Sequence, residues 1–144
     1  MNPTYLIDSD VFLGLLAVRH SHRELCVRWY DSLGPGQLGL TRIVHLAALR
    51  MLGTRALMGL DVISAKEAWW RIDELLEDER VDFLPEPPAL RSILPTLFRY
   101  QEPTPNLIND AYLAAFAIAG GHKLVTRDQG FRQFRGLEVE ILGQ

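Results

Sequence analysis

The sequence predicts an α/β protein: a three-layer α/β/α sandwich with a mostly parallel central sheet. Three observations predict it. Short apolar runs rich in Leu, Ile and Val recur along the chain, beginning with Tyr5-Leu6-Ile7 and returning at Leu124-Val125-Thr126. Stretches with apolar residues at helical spacing separate them, and strands joined through helices lie parallel and are covered on both faces. Carboxylates close both of those runs: Asp8 after the first, Asp128 shortly after the second.

The elements follow in order. Residues 4–7 read as a short buried strand. Val11 to Val18 has helix-compatible spacing, with Asp10 placed to cap it. Residues 20–33 read as an amphipathic helix with Leu25, Trp29 and Leu33 on one face, broken by Gly34-Pro35-Gly36. Gln37 to Leu40 is a second strand. Thr41 is placed to cap a helix from Ile43 to Leu52, and Gly53 ends it. Ser64, with Glu67 three residues on, forms a capping box for a helix carrying Ala68, Trp69, Ile72, Leu75 and Leu76. Val81 to Leu84 is a third strand. Pro87-Pro88 opens a helix through Leu97 to Tyr100, interrupted at Pro95. Glu102 to Asn106 is a loop. Asn106 or Asn109 caps a helix from Asp110 to Ala119, stopped by Gly120-Gly121. Leu124 to Thr126 is a strand, and the alternation from Leu137 to Leu142 makes a last edge strand.

With 144 residues and no repeat or linker, a single domain over 1–144 is expected. Net charge is -3, which argues against a protein held on nucleic acid by bulk charge and leaves room for a local basic groove. Among the 15 basic residues only Lys66 and Lys123 are lysine; arginine favours bidentate contacts to phosphate or carboxylate. Arg42, Arg50, Arg127 and Arg132 are candidates to line such a groove. The single cysteine, Cys26, excludes an internal disulfide and fits a reducing cytoplasm. The N-terminus lacks the pattern of a signal peptide. No apolar run approaches the roughly 18 residues that span a bilayer, so no membrane partner is expected.

The chemistry is expected at Asp8, Asp110 and Asp128. Ligands of parallel α/β sheets bind beyond the carboxyl ends of the strands, where Asp8 and Asp128 stand. Asp110 opens a helix whose dipole favours an anion. If the three converge, bare carboxylates about 4 Å apart repel by roughly 4 kcal/mol at an effective dielectric near 20, and a divalent cation removes that repulsion. Oxygen-only donors favour Mg2+ or Mn2+ over zinc. Each acid also has a plainer reading: Asp8 as a strand-end turn, Asp110 as a helix N-terminal charge, Asp128 as a turn former before Gln129-Gly130. Their combination favours a site.

At these residues the chain resembles a known family. Leu6-Ile7-Asp8-Ser9-Asp10-Val11-Phe12-Leu13 is similar to the opening of a PIN domain. Asn109-Asp110-Ala111-Tyr112-Leu113-Ala114-Ala115 and Leu124-Val125-Thr126-Arg127-Asp128-Gln129-Gly130-Phe131 resemble its closing half. The compact size resembles VapC-type toxins. That resemblance implies a PIN-like fold and a metal-dependent endoribonuclease that dimerises, is silenced by a cognate antitoxin and acts on RNA, with Asp8, Asp110 and Asp128 as metal-binding acids. Two departures stand out. Asp10 replaces the usual asparagine-like residue, and His45 falls near the position of a usual glutamate. Asp10, His45 and Thr126 are therefore possible accessory residues, set against plainer roles as a helix cap, a core-edge histidine and a β-branched strand residue. Trp69 and Trp70 cannot both face inward on one helix, so the pair reads as core plus partner surface. Glu74, Glu77, Asp78 and Glu79 read as a solvated face.

Two other functions stay open. A decayed site at His45 would leave an RNA- or protein-binding module. Asp8-Ser9-Asp10-Val11 also resembles the nucleophile motif of haloacid-dehalogenase-type phosphatases, a reading opposed by the short chain and by Asp110 preceding Lys123.

Overall fold

Five parallel strands lie in the order β3-β2-β1-β4-β5 in a computed structural model that describes residues 2–99 and 102–144. The strands are β1 (Tyr5–Ile7), β2 (Leu38–Leu40), β3 (Val81–Phe83), β4 (Lys123–Thr126) and β5 (Val139–Ile141). The helices are α1 (Ser9–Leu16), α2 (Arg23–Asp31), α3 (Arg42–Leu52), α4 (Arg55–Met58), α5 (Ala65–Leu76), α6 (Leu90–Ile93) and α7 (Ile108–Gly120). Successive strand residues face opposite sides of a sheet. Leu6 and Ile7, and likewise Leu124 and Val125, are all buried, so the central strands are covered on both faces. The expected sandwich is thereby observed, with every strand pairing parallel. α1 packs against α2 and α3, α3 against α5, and α7 against α6.

The strand order places the site. From β1 the chain moves outward through β2 to β3, then returns to add β4 and β5 on the other side of β1. The order reverses between β1 and β4, and the crevice beyond the carboxyl ends of such strands is where open α/β sheets bind ligands. Ile7 pairs with Val125, so the next residues, Asp8 and Thr126, emerge side by side.

Several local expectations are corrected. α1 starts at Ser9, and Asp8, not Asp10, is its cap: Asp8 is extended (ψ 178°) and its Oδ1 accepts the Val11 amide at 3.0 Å. The helix expected over 20–33 shrinks to α2, and its buried face carries Cys26 and Tyr30 rather than Leu25. Ser64 caps α5 as expected, accepting the Glu67 amide at 3.1 Å, while the Glu67 carboxylate turns outward to Arg71. Thr41 occupies the cap position of α3 without a capping bond; its buried Oγ1 has no hydrogen-bond partner among the described residues. The helix expected from Pro87-Pro88 is broken into α6 and a 3-10 segment, Leu94–Phe98, at Pro95; the expectation at Tyr100 falls outside the described residues. α7 begins at Ile108 with neither Asn106 nor Asn109 as its cap. Gly121 ends it with φ +73°, a left-handed conformation that glycine adopts without a Cβ clash. α4 and the 3-10 segments Gly59–Asp61, Pro105–Leu107 and Gln129–Gln133 were not anticipated. Among the described residues no single helix is long and apolar enough to cross a membrane.

Candidate active site

Asp8 anchors the site because three features hold it there. β1 delivers it to the sheet's carboxyl edge, capping ties one oxygen to the Val11 amide, and the Thr126 hydroxyl donates a short hydrogen bond to the other. Thr126 Oγ1 in turn accepts the Asp128 amide at 3.0 Å. One buried hydroxyl thus couples the carboxylate after β1 to the backbone after β4. Burial pushes the Asp8 carboxyl up to about 6, against those two hydrogen bonds; Asp10 and Asp110 add like-charge repulsion. Asp110, half-buried in the first turn of α7, is also raised, first by burial and then by Asp128. Asp8 and Asp110 line one cleft of about 420 Å³, together with Ser9, Arg50, Asn106, Asn109 and an apolar stripe of α3. Asp128 does not line that cleft. It is exposed, its Oδ1 accepts the Gly130 amide at 2.8 Å, and its charge still reaches Asp110.

The accessory residues part company. Thr126 joins the site. Asp10 faces a different set of partners: His20 Nε2 at 3.0 Å and Arg127 at 3.4 Å. The His20 ring accepts the His22 amide at Nδ1, which leaves Nε2 to donate to Asp10. His45 does not line the cleft. Its Nδ1 accepts a hydrogen bond from Arg42 at 3.0 Å, and its ring packs edge-on against Trp69 and Phe83. Burial and the Arg42 charge hold it below its ordinary pKa. The reason is helical geometry. Ile43, Ala47 and Arg50 share the cleft-facing stripe of α3, and His45 lies about 200° around the helix from Ile43 at roughly 100° per residue.

Of the four arginines considered for a groove, only Arg50 lines this cleft. Arg42 stacks over Phe83 at 4.4 Å, and Arg127 is taken by Asp10. Sequence reasoning gave Ser9 no role and cast Asn106 and Asn109 as helix caps. The position of Asn109 directly before Asp110 was the available signal.

The donor chemistry suits a hard divalent cation. Asp8 and Asp110 are oxygen donors that share a cleft, repel each other and are both raised in pKa, the state that a cation would relieve. Among the described residues no three acidic, histidine or cysteine side chains come close enough together to hold a metal ion. A hard divalent cation can be held through one or two carboxylates, with waters completing its shell.

Comparison with known proteins agrees with this frame. A family model described as PIN domain matches residues 5–137. The chain is 33% identical over 144 residues to Ribonuclease VapC41 of Mycobacterium tuberculosis, covering 96% of this chain and 99% of that protein. Ribonuclease VapC37 of the same organism is 25% identical over 134 residues, 92% of each chain. Among solved structures, VapBC2 from Rickettsia felis, bound to a DNA fragment from its promoter, superposes with a TM-score of 0.73 at 16% identity, covering 96% of this chain and 98% of that one. The sheet order, the acids at its carboxyl edge and these matches converge: the chain belongs to the PIN domain family, in its VapC-type branch.

Proposed function

We propose that this chain is a divalent-cation-dependent endoribonuclease, the toxin of a toxin–antitoxin pair, built as a single PIN-like domain over 1–144. The observation that carries the reading is the cleft holding Asp8 and Asp110, with Asp128 in electrostatic range, on a chain similar to a named ribonuclease along its length. Asp8 and Asp110 would hold Mg2+ or Mn2+ in the cleft, with Asp128, outside it, adding negative charge toward Asp110. When bound, that cation would supply positive charge for a phosphodiester and a water acidic enough to attack it. The chain's own residues set the stage. Thr126 fixes the rotamer of Asp8, the α1 cap fixes its other oxygen, and burial keeps water from screening the Asp8 carboxylate.

The partners follow from the same reading: an RNA substrate, a cognate antitoxin and a second copy of the chain, in the cytoplasm. The R. felis relative is a VapBC assembly, which supports an antitoxin. Exposed Val18, Leu57, Leu60 and Trp70 supply apolar surface for protein partners.

A second reading, a weakened RNA- or protein-binding module, is favoured by one observation: His45 supplies nothing to the cleft and no three-ligand group forms among the described residues. PIN membership displaces the phosphatase reading. One experiment separates the remaining two. Total cellular RNA incubated with the protein and Mg2+ should be cut at defined positions. Excess chelator should stop the cutting, and added Mn2+ should restore it. RNA that is bound and left intact would establish the second reading instead.

A further inference from the structure

We propose that Arg50 is a substrate-positioning residue of this cleft, holding an RNA phosphate beside the acids; the proposal rests on the ribonuclease reading. A divalent cation held by Asp8 and Asp110 would balance their charge without leaving a surplus to hold the rest of a polyanion, and the chain's net charge of -3 gives no general attraction. A fixed basic side chain in the cleft would supply that attraction. Arg50 is the only Lys or Arg among the described residues lining it. It is exposed, and no partner for its guanidinium is seen among the described residues. Three other arginines are committed elsewhere: Arg127 to Asp10, Arg42 to His45 and Phe83, Arg23 to the carbonyls of Gly14 and Leu15.

The backbone beneath Arg50 is anchored. The Thr54 hydroxyl donates to the Arg50 carbonyl at 2.6 Å, fixing the last turn of α3. Arginine in a last turn also complements the helix dipole, but that role is indifferent to which face the residue occupies. Arg50 lies instead on the stripe with Ile43 and Ala47, which faces the acids. A planar guanidinium binds phosphate with two parallel hydrogen bonds, so it orients the chain as well as attracting it. Ile43, Leu46 and Leu113 offer apolar surface beside it, and a cleft of about 420 Å³ lies in the range that takes a small organic group.

The test compares wild type with Arg50→Gln and Arg50→Lys on single-stranded RNA. Arg50→Gln should raise KM about ten-fold or more with kcat little changed. In a cleavage-dead Asp8→Asn background, its binding should lose about 0.7 from the slope of log affinity against log salt, the contribution of one phosphate contact on a single strand. Arg50→Lys should recover the slope and only part of the KM. Unchanged KM and slope in Arg50→Gln, or a fall in kcat with KM intact, would overturn the assignment. A wild-type protein that neither binds nor cuts RNA would instead overturn the ribonuclease reading, and this proposal with it.

Discussion

Replacing Asp8 by Asn is expected to abolish RNA cleavage and, with metal removed by chelator at pH 8, to raise the melting temperature. The first half follows from position: Asp8 is the buried acid of the cleft, tied at both oxygens. Residues one step removed from a metal cost about 10–100-fold when changed, so a ligand should cost at least ~100-fold. The second half follows from burial. Folding lifts the Asp8 carboxyl from 3.8 to about 6. A raised pKa contributes stability that is fully present below the unfolded value and is lost as pH rises through the folded value. At pH 8 the wild type therefore carries a buried charge that asparagine does not, a difference of roughly 3 kcal/mol at most. The Asn oxygen still accepts the Val11 amide, while its NH2 group must donate to Thr126, which already accepts from Asp128. That rearrangement costs about 1 kcal/mol. A rise of a few degrees remains, at about 2–4 °C per kcal/mol for a chain of this size. Below pH 4 both side chains are neutral, so the gain should vanish. Thermal melts across pH, run beside the RNA assay, check both halves. A folded Asp8→Asn protein that cuts RNA at the wild-type rate would sink the site assignment.

Thr126→Val is expected to lower cleavage by about 10–100-fold while leaving every proposed ligand in place. Its hydroxyl is buried and does two things, donating to Asp8 and accepting the Asp128 amide. Valine fills nearly the same space and does neither. The Asp8 carboxyl loses a hydrogen bond that holds its pKa down, so it should rise further above 6. The unpaired carboxylate and amide should cost about 1–3 kcal/mol of stability. Thr126→Ser retains the hydroxyl and should keep most of the activity, losing only methyl packing. Urea unfolding and cleavage rates of the two variants give the comparison. Equal activity in Val and Ser variants would show that the bridge does not matter.

The parts of the site that could be read from the chain were those dictated by local rules. An acid closing a buried apolar run must sit at a sheet edge, which gave Asp8 and Asp128; an acid in a helix's first turn gave Asp110. The parts that could not be read depended on rotation or on distant segments. Asp8, Ser9 and Asp10 are all acceptable helix caps, and only the backbone shows that the helix starts after Asp8. His45 stands near a position where the family usually has an acid, yet Trp69 of α5 and Phe83 of β3 enclose it, and no local spacing announces such a pocket. Arg50 shares a cleft with Asn106 and Asn109 only because α3 lines one side of it and the 3-10 segment Pro105–Leu107 with the start of α7 lines another. Pro95 was recognised as an interruption, but the 3-10 segment Leu94–Phe98 that contains it, packed near α7, was not.

Calorimetric titration of Mn2+ into chelator-stripped protein tests the central claim most directly, that the acids at the sheet's carboxyl edge form a cation site. The account predicts one saturable site in the wild type, lost in Asp8→Asn and Asp110→Asn and retained in His45→Ala. A wild-type protein that takes up no cation, or Asp8→Asn and Asp110→Asn variants that bind it as the wild type does, would contradict it.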